Sequence, residues 1–118
     1  MLKKCYRLKN NFAYIATYKQ KNIVADGFYI LYLGKKKTDP EIATKYGFVV
    51  SKKIHKRAVK RNRLKRLMRE NCRLLIKNGG FNCFSKYTSV VFVPKSAALN
   101  MTFEEVKSSF LNLSQKLH

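Results

Sequence analysis

Between Ser51 and Lys77 the chain sets Lys52, Lys53, Lys56, Arg57, Lys60, Arg61, Arg63, Lys65, Arg66, Arg69, Arg73 and Lys77 against a single acid, Glu70. Guanidinium and ammonium groups at this density are phosphate-binding chemistry. An Arg fork reaches two oxygens at once, and a Lys supplies a compact point charge. Asn62, between Arg61 and Arg63, adds a neutral donor and acceptor that can reach a base edge, a 2′-hydroxyl or backbone. A face that is merely solvated normally mixes charge signs, and this one does not. The first implication is a polyphosphate partner, RNA or DNA.

Chemistry by the chain itself is poorly supported. Its acids are Asp26, Asp39, Glu41, Glu70, Glu104 and Glu105. They sit near turns, in a helix cap or inside the basic segment, and none forms the carboxylate pair of two-metal phosphoryl transfer. There is no Ser-His-Asp or Cys-His signature. Gly79-Gly80 is not followed by the Lys-Ser/Thr of a phosphate loop. Cys5, Cys72 and Cys83 are odd in number and lack Cys-x-x-Cys spacing, and His55 and His118 are isolated. Neither a metal site nor a disulfide framework is expected. No catalytic residue is assigned.

Size and charge agree with a binding role. At 118 residues with 46% apolar composition the chain fits one domain, residues 1–118, around a single core. The net charge is +20 and the pI about 10.2, so self-repulsion costs stability and a polyanion relieves it. No apolar run approaches the roughly 20 residues of a membrane span. Met1-Leu2-Lys3-Lys4 is basic without the apolar run of a signal peptide, so a cytoplasmic location is expected. A membrane-surface role would need the apolar face of the basic helix, which so small a domain needs for its core.

The elements that must position these groups can be read in order. Asn10 or Asn11 caps a first helix running to about Gln20. Phe12, Ile15 and Ala16 share one face of it, and Tyr14 and Tyr18, four apart, lie nearly opposite. Spacing leaves two readings open: both faces buried between layers, or the tyrosines as a stacking platform. Asp26-Gly27 opens a strand from Phe28 to Leu33, and a second strand spans about Tyr46 to Ser51; these are read as an antiparallel pair. The basic helix starts near Lys56 and stops before Asn78-Gly79-Gly80. Leu64, Leu67, Met68, Asn71, Leu74 and Leu75 form its apolar arc. Asn62, Lys65, Arg66, Arg69 and Arg73 form the opposite arc, with Arg61 and Arg63 at the edges. Ser89 to Val93, closed by Pro94, reads as a third strand, and Ala97-Ala98 as a short turn of helix. Thr102 and Glu105 make a capping box for a last helix to about Leu117. The order α-β-β-α-β-α implies an α+β fold, a small mixed sheet packed with helices.

The stretch Gly47-Phe48-Val49-Val50-Ser51-Lys52-Lys53, continued by Arg57-Ala58-Val59-Lys60-Arg61-Asn62-Arg63-Leu64-Lys65-Arg66-Leu67, resembles the signature of the protein component of bacterial ribonuclease P. Arg7-Leu8-Lys9, the aromatics Tyr14, Tyr18 and Tyr32, and Val90 to Lys95 extend the resemblance over nearly the whole chain. It implies a fold like ribosomal protein S5 domain 2 with a left-handed β-α-β crossover, against the general preference for the right hand. It implies a partner, the ribonuclease P RNA subunit, and a substrate, precursor tRNA, whose 5′ leader the RNA removes. Mg²⁺ is implied as the cofactor of the holoenzyme, held mainly by RNA and substrate. Carried onto this chain, Arg61, Asn62, Arg63, Lys65 and Arg66 are RNA-contacting residues, supported by Lys52, Lys53 and Arg57; Arg69, on the same basic arc of the helix, is expected to bind RNA with them. Tyr14, Tyr18 and Tyr32 form the cleft for the single-stranded leader. Two departures stand out: the first-helix aromatics are Tyr where relatives usually have Phe, and Val49 stands where many carry a small polar residue. The reading that competes is a ribosomal or other structural RNA-binding protein of the same fold.

Overall fold

The structure, a computed structural model, describes residues 3–79 and 84–116. Gly80 of the expected helix stop, Cys83, Leu117 and His118 lie outside the described residues. Three helices, α1 (Asn11–Lys19), α2 (Ala58–Lys77) and α3 (Phe103–Gln115), pack on four strands. These are β1 (Asn22–Ala25), β2 (Tyr29–Leu33), β3 (Lys45–Phe48) and β4 (Ser89–Pro94), in spatial order β1-β2-β4-β3. The six expected elements are present in the expected order, and β1 adds an edge strand. Its four residues are mostly exposed and lack the alternation that betrays a half-buried strand.

The sheet is mixed. β1 and β2 are antiparallel, β2 and β4 are antiparallel, and β3 runs parallel to β4, with Gly47 opposite Val91 and Phe48 opposite Phe92. The expected pairing of β2 with β3 is therefore wrong: β4 lies between them. The chain beyond Leu33 explains why. It continues beside the approach to β4, with Thr88 N–H donating to Lys35 O and Lys37 N–H to Lys86 O, both at 2.8 Å. Only the far side of β4 is left for β3. Regular pairing of β3 also begins earlier and ends sooner than expected, although Val49 N–H still donates to Phe92 O at 3.0 Å.

Alternation along the strands divides the sheet into two faces. Tyr29, Leu31, Leu33, Tyr46, Val90 and Phe92 join Leu64, Met68, Cys72 and Leu75 of α2 and Val106, Phe110 and Leu113 of α3 in the core. The Phe92 ring lies 4.7 Å from Phe110, 5.4 Å from Phe48 and 6.2 Å from Phe84, centroid to centroid. Asn71, on the apolar arc of α2, links the helices: its Nδ2 donates to Leu67 O at 3.0 Å and to Phe103 O at 3.3 Å. The Thr102–Glu105 capping box is formed as expected. Asp26 turns β1 into β2 by accepting from Phe28 N–H and Tyr29 N–H at 2.7 Å, and also accepts from the Ser109 hydroxyl of α3.

Leu64 is fully buried where α2 meets the sheet. Leu64→Ala is expected to cost about 2–5 kcal/mol, read as a lower urea midpoint. A loss below about 0.5 kcal/mol, the level of a surface change, would show that the helix is not anchored as described.

Candidate nucleic-acid interface

The cations of α2 do not form one uniform strip. Asn62 and Arg66 are exposed on the outward crest, and Arg63 is exposed to one side. Lys65 and Arg69, one helical turn apart, flank the crest on the side of β3. Arg73 is tied to Glu70 at 3.2 Å and spends its charge there. Arg61 is half-buried and folds back on the preceding loop, where its Nη1 donates to His55 O at 3.0 Å and Lys56 O at 2.9 Å. Lys52, Lys53 and Arg57 are exposed on that loop.

Among the described residues, α1 is the helix that covers the other sheet face. Asn10 caps it, its Oδ1 accepting from Phe12 N–H at 2.8 Å, and Lys21 in left-handed conformation (φ 54°) follows its end. The reading with both faces buried between layers does not hold. Tyr14, Thr17 and Tyr18 turn to the sheet, while Phe12 and Ile15 are 81% and 49% exposed. The buried Thr17 hydroxyl bonds the Ser89 hydroxyl at 2.6 Å. Tyr18 meets Tyr32 edge-on, centroids 4.8 Å apart, and both rings stay partly exposed. Beyond them the same face continues by alternation through Ile30, Val49 and Val93, all half-buried, with Ile23 opposite Tyr32 on the edge strand.

Tyr14 connects the two surfaces. Its ring lies on Gly47, where a Cβ would stand 2.5–2.7 Å from the ring atoms and hydroxyl. Its hydroxyl donates to Leu8 O at 3.2 Å. Residues 7–8 run beside the outer edge of β3, Leu8 N–H donating to Tyr46 O at 2.9 Å. The result is a groove of about 290 Å³ lined by Arg7, Lys9, Tyr14, Gly47, Lys65 and Arg69 among others. Cations from the N-terminal segment and from α2 thus share a concavity with an aromatic ring, an arrangement that suits a phosphate beside a stacked base. Burial first, and then the neighbouring Tyr14 and Tyr32 phenols, push the Tyr18 hydroxyl pKa up; burial also raises that of Tyr14. Both phenols are neutral at physiological pH and do not repel phosphate.

Of the residues expected from sequence, the structure joins Tyr18 with Tyr32, and Tyr14 with Lys65 and Arg69. It sets Lys52, Lys53 and Arg57 on the adjoining loop and turns Arg61 inward. Sequence reasoning missed Gly47 and the contribution of Arg7 and Lys9 to the groove. A glycine inside an otherwise apolar strand was the available signal, because such a position often marks a close approach.

A basic α+β domain with a cationic helix on one sheet face and a tyrosine-lined half-open opposite face is a polyanion-binding protein by class. Comparison with known proteins narrows it. The Ribonuclease P family model matches residues 2–118, and the chain belongs to that family. It is 33% identical over 114 residues to the ribonuclease P protein component of Finegoldia magna, covering 96% of this chain and 91% of that one. It is 32% identical over 118 residues to that of Symbiobacterium thermophilum, covering 98% and 93%. The RNase P protein of Staphylococcus aureus superposes with a TM-score of 0.71 at 26% identity, covering 94% of both chains.

Gly47→Ala is expected to cost about 1–3 kcal/mol through overpacking against Tyr14. In a Tyr14→Ala background the cost should vanish. Urea unfolding of the four proteins checks the cycle; equal costs in both backgrounds would place the strain elsewhere.

Proposed function

We propose that this chain is the protein subunit of ribonuclease P, binding the catalytic RNA and the 5′ leader of precursor tRNA in the cytoplasm. The observation that carries the reading is the meeting of both surfaces at the β3 edge, where Tyr14 of the leader face and Lys65 and Arg69 of the RNA-binding helix line one groove. Lys52, Lys53, Arg57, Asn62, Arg63 and Arg66 contact the RNA subunit, Arg61 belongs to the same surface, and Tyr14, Tyr18 and Tyr32 hold the leader. Aromatic faces stack on bases with little sequence preference, as a leader of varying sequence requires.

In this reading the chain screens phosphate charge and positions the leader, and the RNA with Mg²⁺ performs the cleavage. The acids support that division, since Asp26, Asp39, Glu70 and Glu105 are each engaged in local structural bonds. Among the described residues no group of three His, Cys, Asp or Glu side chains could hold a metal ion, and no step is assigned to a protein-held metal. Among the same residues no helix is long and apolar enough to cross a membrane.

The test is reconstitution with a bacterial ribonuclease P RNA at low Mg²⁺, following release of the 5′ leader. Strong stimulation without cleavage by the protein alone is expected. Tight RNA binding without stimulation would favour a structural RNA-binding role instead. Tyr18→Ala with Tyr32→Ala should weaken leader-bearing precursor by about 1–3 kcal/mol per lost base contact while sparing mature tRNA. Equal losses for both RNAs would assign these rings to the core.

A further inference from the structure

Lys52, Lys53 and Arg57 lie on a segment that belongs to neither β3 nor α2. It is also surrounded by like charge, because the first turn of α2 contains no acid and carries Lys60 and Arg61. Repulsion and the positive end of the helix both act to push such a segment away. Few bonds oppose them. Ile54 N–H donates to Ser51 O at 3.1 Å, closing one turn. Arg57 N–H donates to Nδ1 of His55 at 3.0 Å. Arg61 then donates from Nη1 to the carbonyls of both His55 and Lys56. Arg57 occupies the N-cap of α2, and its own side chain makes no cap bond.

His55 here does what a short oxygen-bearing side chain does elsewhere in the fold. Asn10, Asp26 and Asp39 each accept from the N–H two residues on, at Phe12, Phe28 and Glu41. That bond fixes a turn locally. In His55 a ring nitrogen takes the place of the oxygen. The two carbonyls both engage Nη1 of the guanidinium.

We propose that His55 and Arg61 are positioning residues for RNA binding. They staple the 51–57 segment to the first turn of α2, so that Lys52, Lys53 and Arg57 meet phosphates as a preformed array continuous with the helix crest. The proposal rests on the RNA-binding reading above and changes the role of Arg61, which acts chiefly through its neighbours. Without the staple the RNA would have to order the segment itself, and affinity would fall by that cost.

The experiment is equilibrium binding of the full chain to a bacterial ribonuclease P RNA over a salt series. It compares Arg61→Ala, the pair Lys52→Ala with Lys53→Ala, and all three changes together. A staple makes the losses sub-additive: Arg61→Ala weakens binding about tenfold in the unmodified protein but under about threefold once Lys52 and Lys53 are gone. Its salt slope falls by more than the roughly one unit of a single phosphate contact. Additive losses with a one-contact slope, in a protein that binds normally, overturn the proposal alone. If the unmodified chain fails to bind the RNA, the functional reading falls and the proposal with it. In the free protein, hydrogen exchange at the Arg57 amide should quicken in His55→Ala and Arg61→Ala and return to normal in His55→Asn, which restores an acceptor two residues upstream. Unchanged exchange in both alanine variants also overturns the proposal.

Discussion

Both candidate surfaces of this protein are registered on β4. Val90 and Phe92 point into the core under α2 and α3, and the buried Ser89 and Val91 point to the face that α1 covers. β2 and β3, the strands that carry Tyr32 and Gly47, both pair with it. A one-residue slip of β4 would exchange its two faces, lift Phe92 out of its aromatic cluster and drive Ser89 away from Thr17. The cationic helix and the tyrosine face therefore keep their relative positions because β4 is covered on both faces and paired on both edges.

The two surfaces are held with unequal strength. α2 is anchored from its seventh residue onward by Leu64, Met68, Cys72 and Leu75, all buried. Burial also pushes up the pKa of the Cys72 thiol, which is inert packing rather than a reactive group. α1 is half as long, buries only Thr17 fully, and leaves Phe12 and Ile15 in solvent. Among the described residues its hold on the sheet includes the Thr17–Ser89 hydroxyl pair, the Tyr14 ring on Gly47 and the edge-on Tyr18–Tyr32 contact. Under the proposed function the rigid wall is the one that would meet a folded RNA, and the adaptable wall the one that would face a flexible single strand. Such a division matches the general tendency of ligand-binding walls to come from the less stable parts of a fold.

Much of this was legible in the sequence, for identifiable reasons. The basic helix announced itself through a long apolar arc with charge on the other side, and the Thr102–Glu105 capping box through its spacing. The tyrosines could be singled out by type but not oriented, since Phe12 and Ile15 look more core-like than Tyr14 and Tyr18. Steric fit reversed that order: a flat ring fits over Gly47, and Phe12 and Ile15 on the other face of α1 are left exposed. The strand pairing was illegible because it depends on where the chain beyond Leu33 runs, which no local pattern encodes. Arg61 resembled its neighbours in composition, and only the position of two carbonyls separates its role from theirs.

The central place of β4 also sets a timetable. Synthesis proceeds from the N-terminus, so β1, β2, β3 and the whole cationic helix exist before the strand that joins them has been made. Until residues 89–94 emerge, only the β1–β2 hairpin can complete its pairing, because β2 and β3 have no ladder with each other. The Thr17–Ser89 bond spans 72 positions, and the parallel β3–β4 pair closes around all of α2. Non-local closure of this kind is slow compared with helix formation. The nascent chain accordingly displays its most basic segment early and completes its core late, and for that interval nearby polyanions meet the charge before they meet the fold.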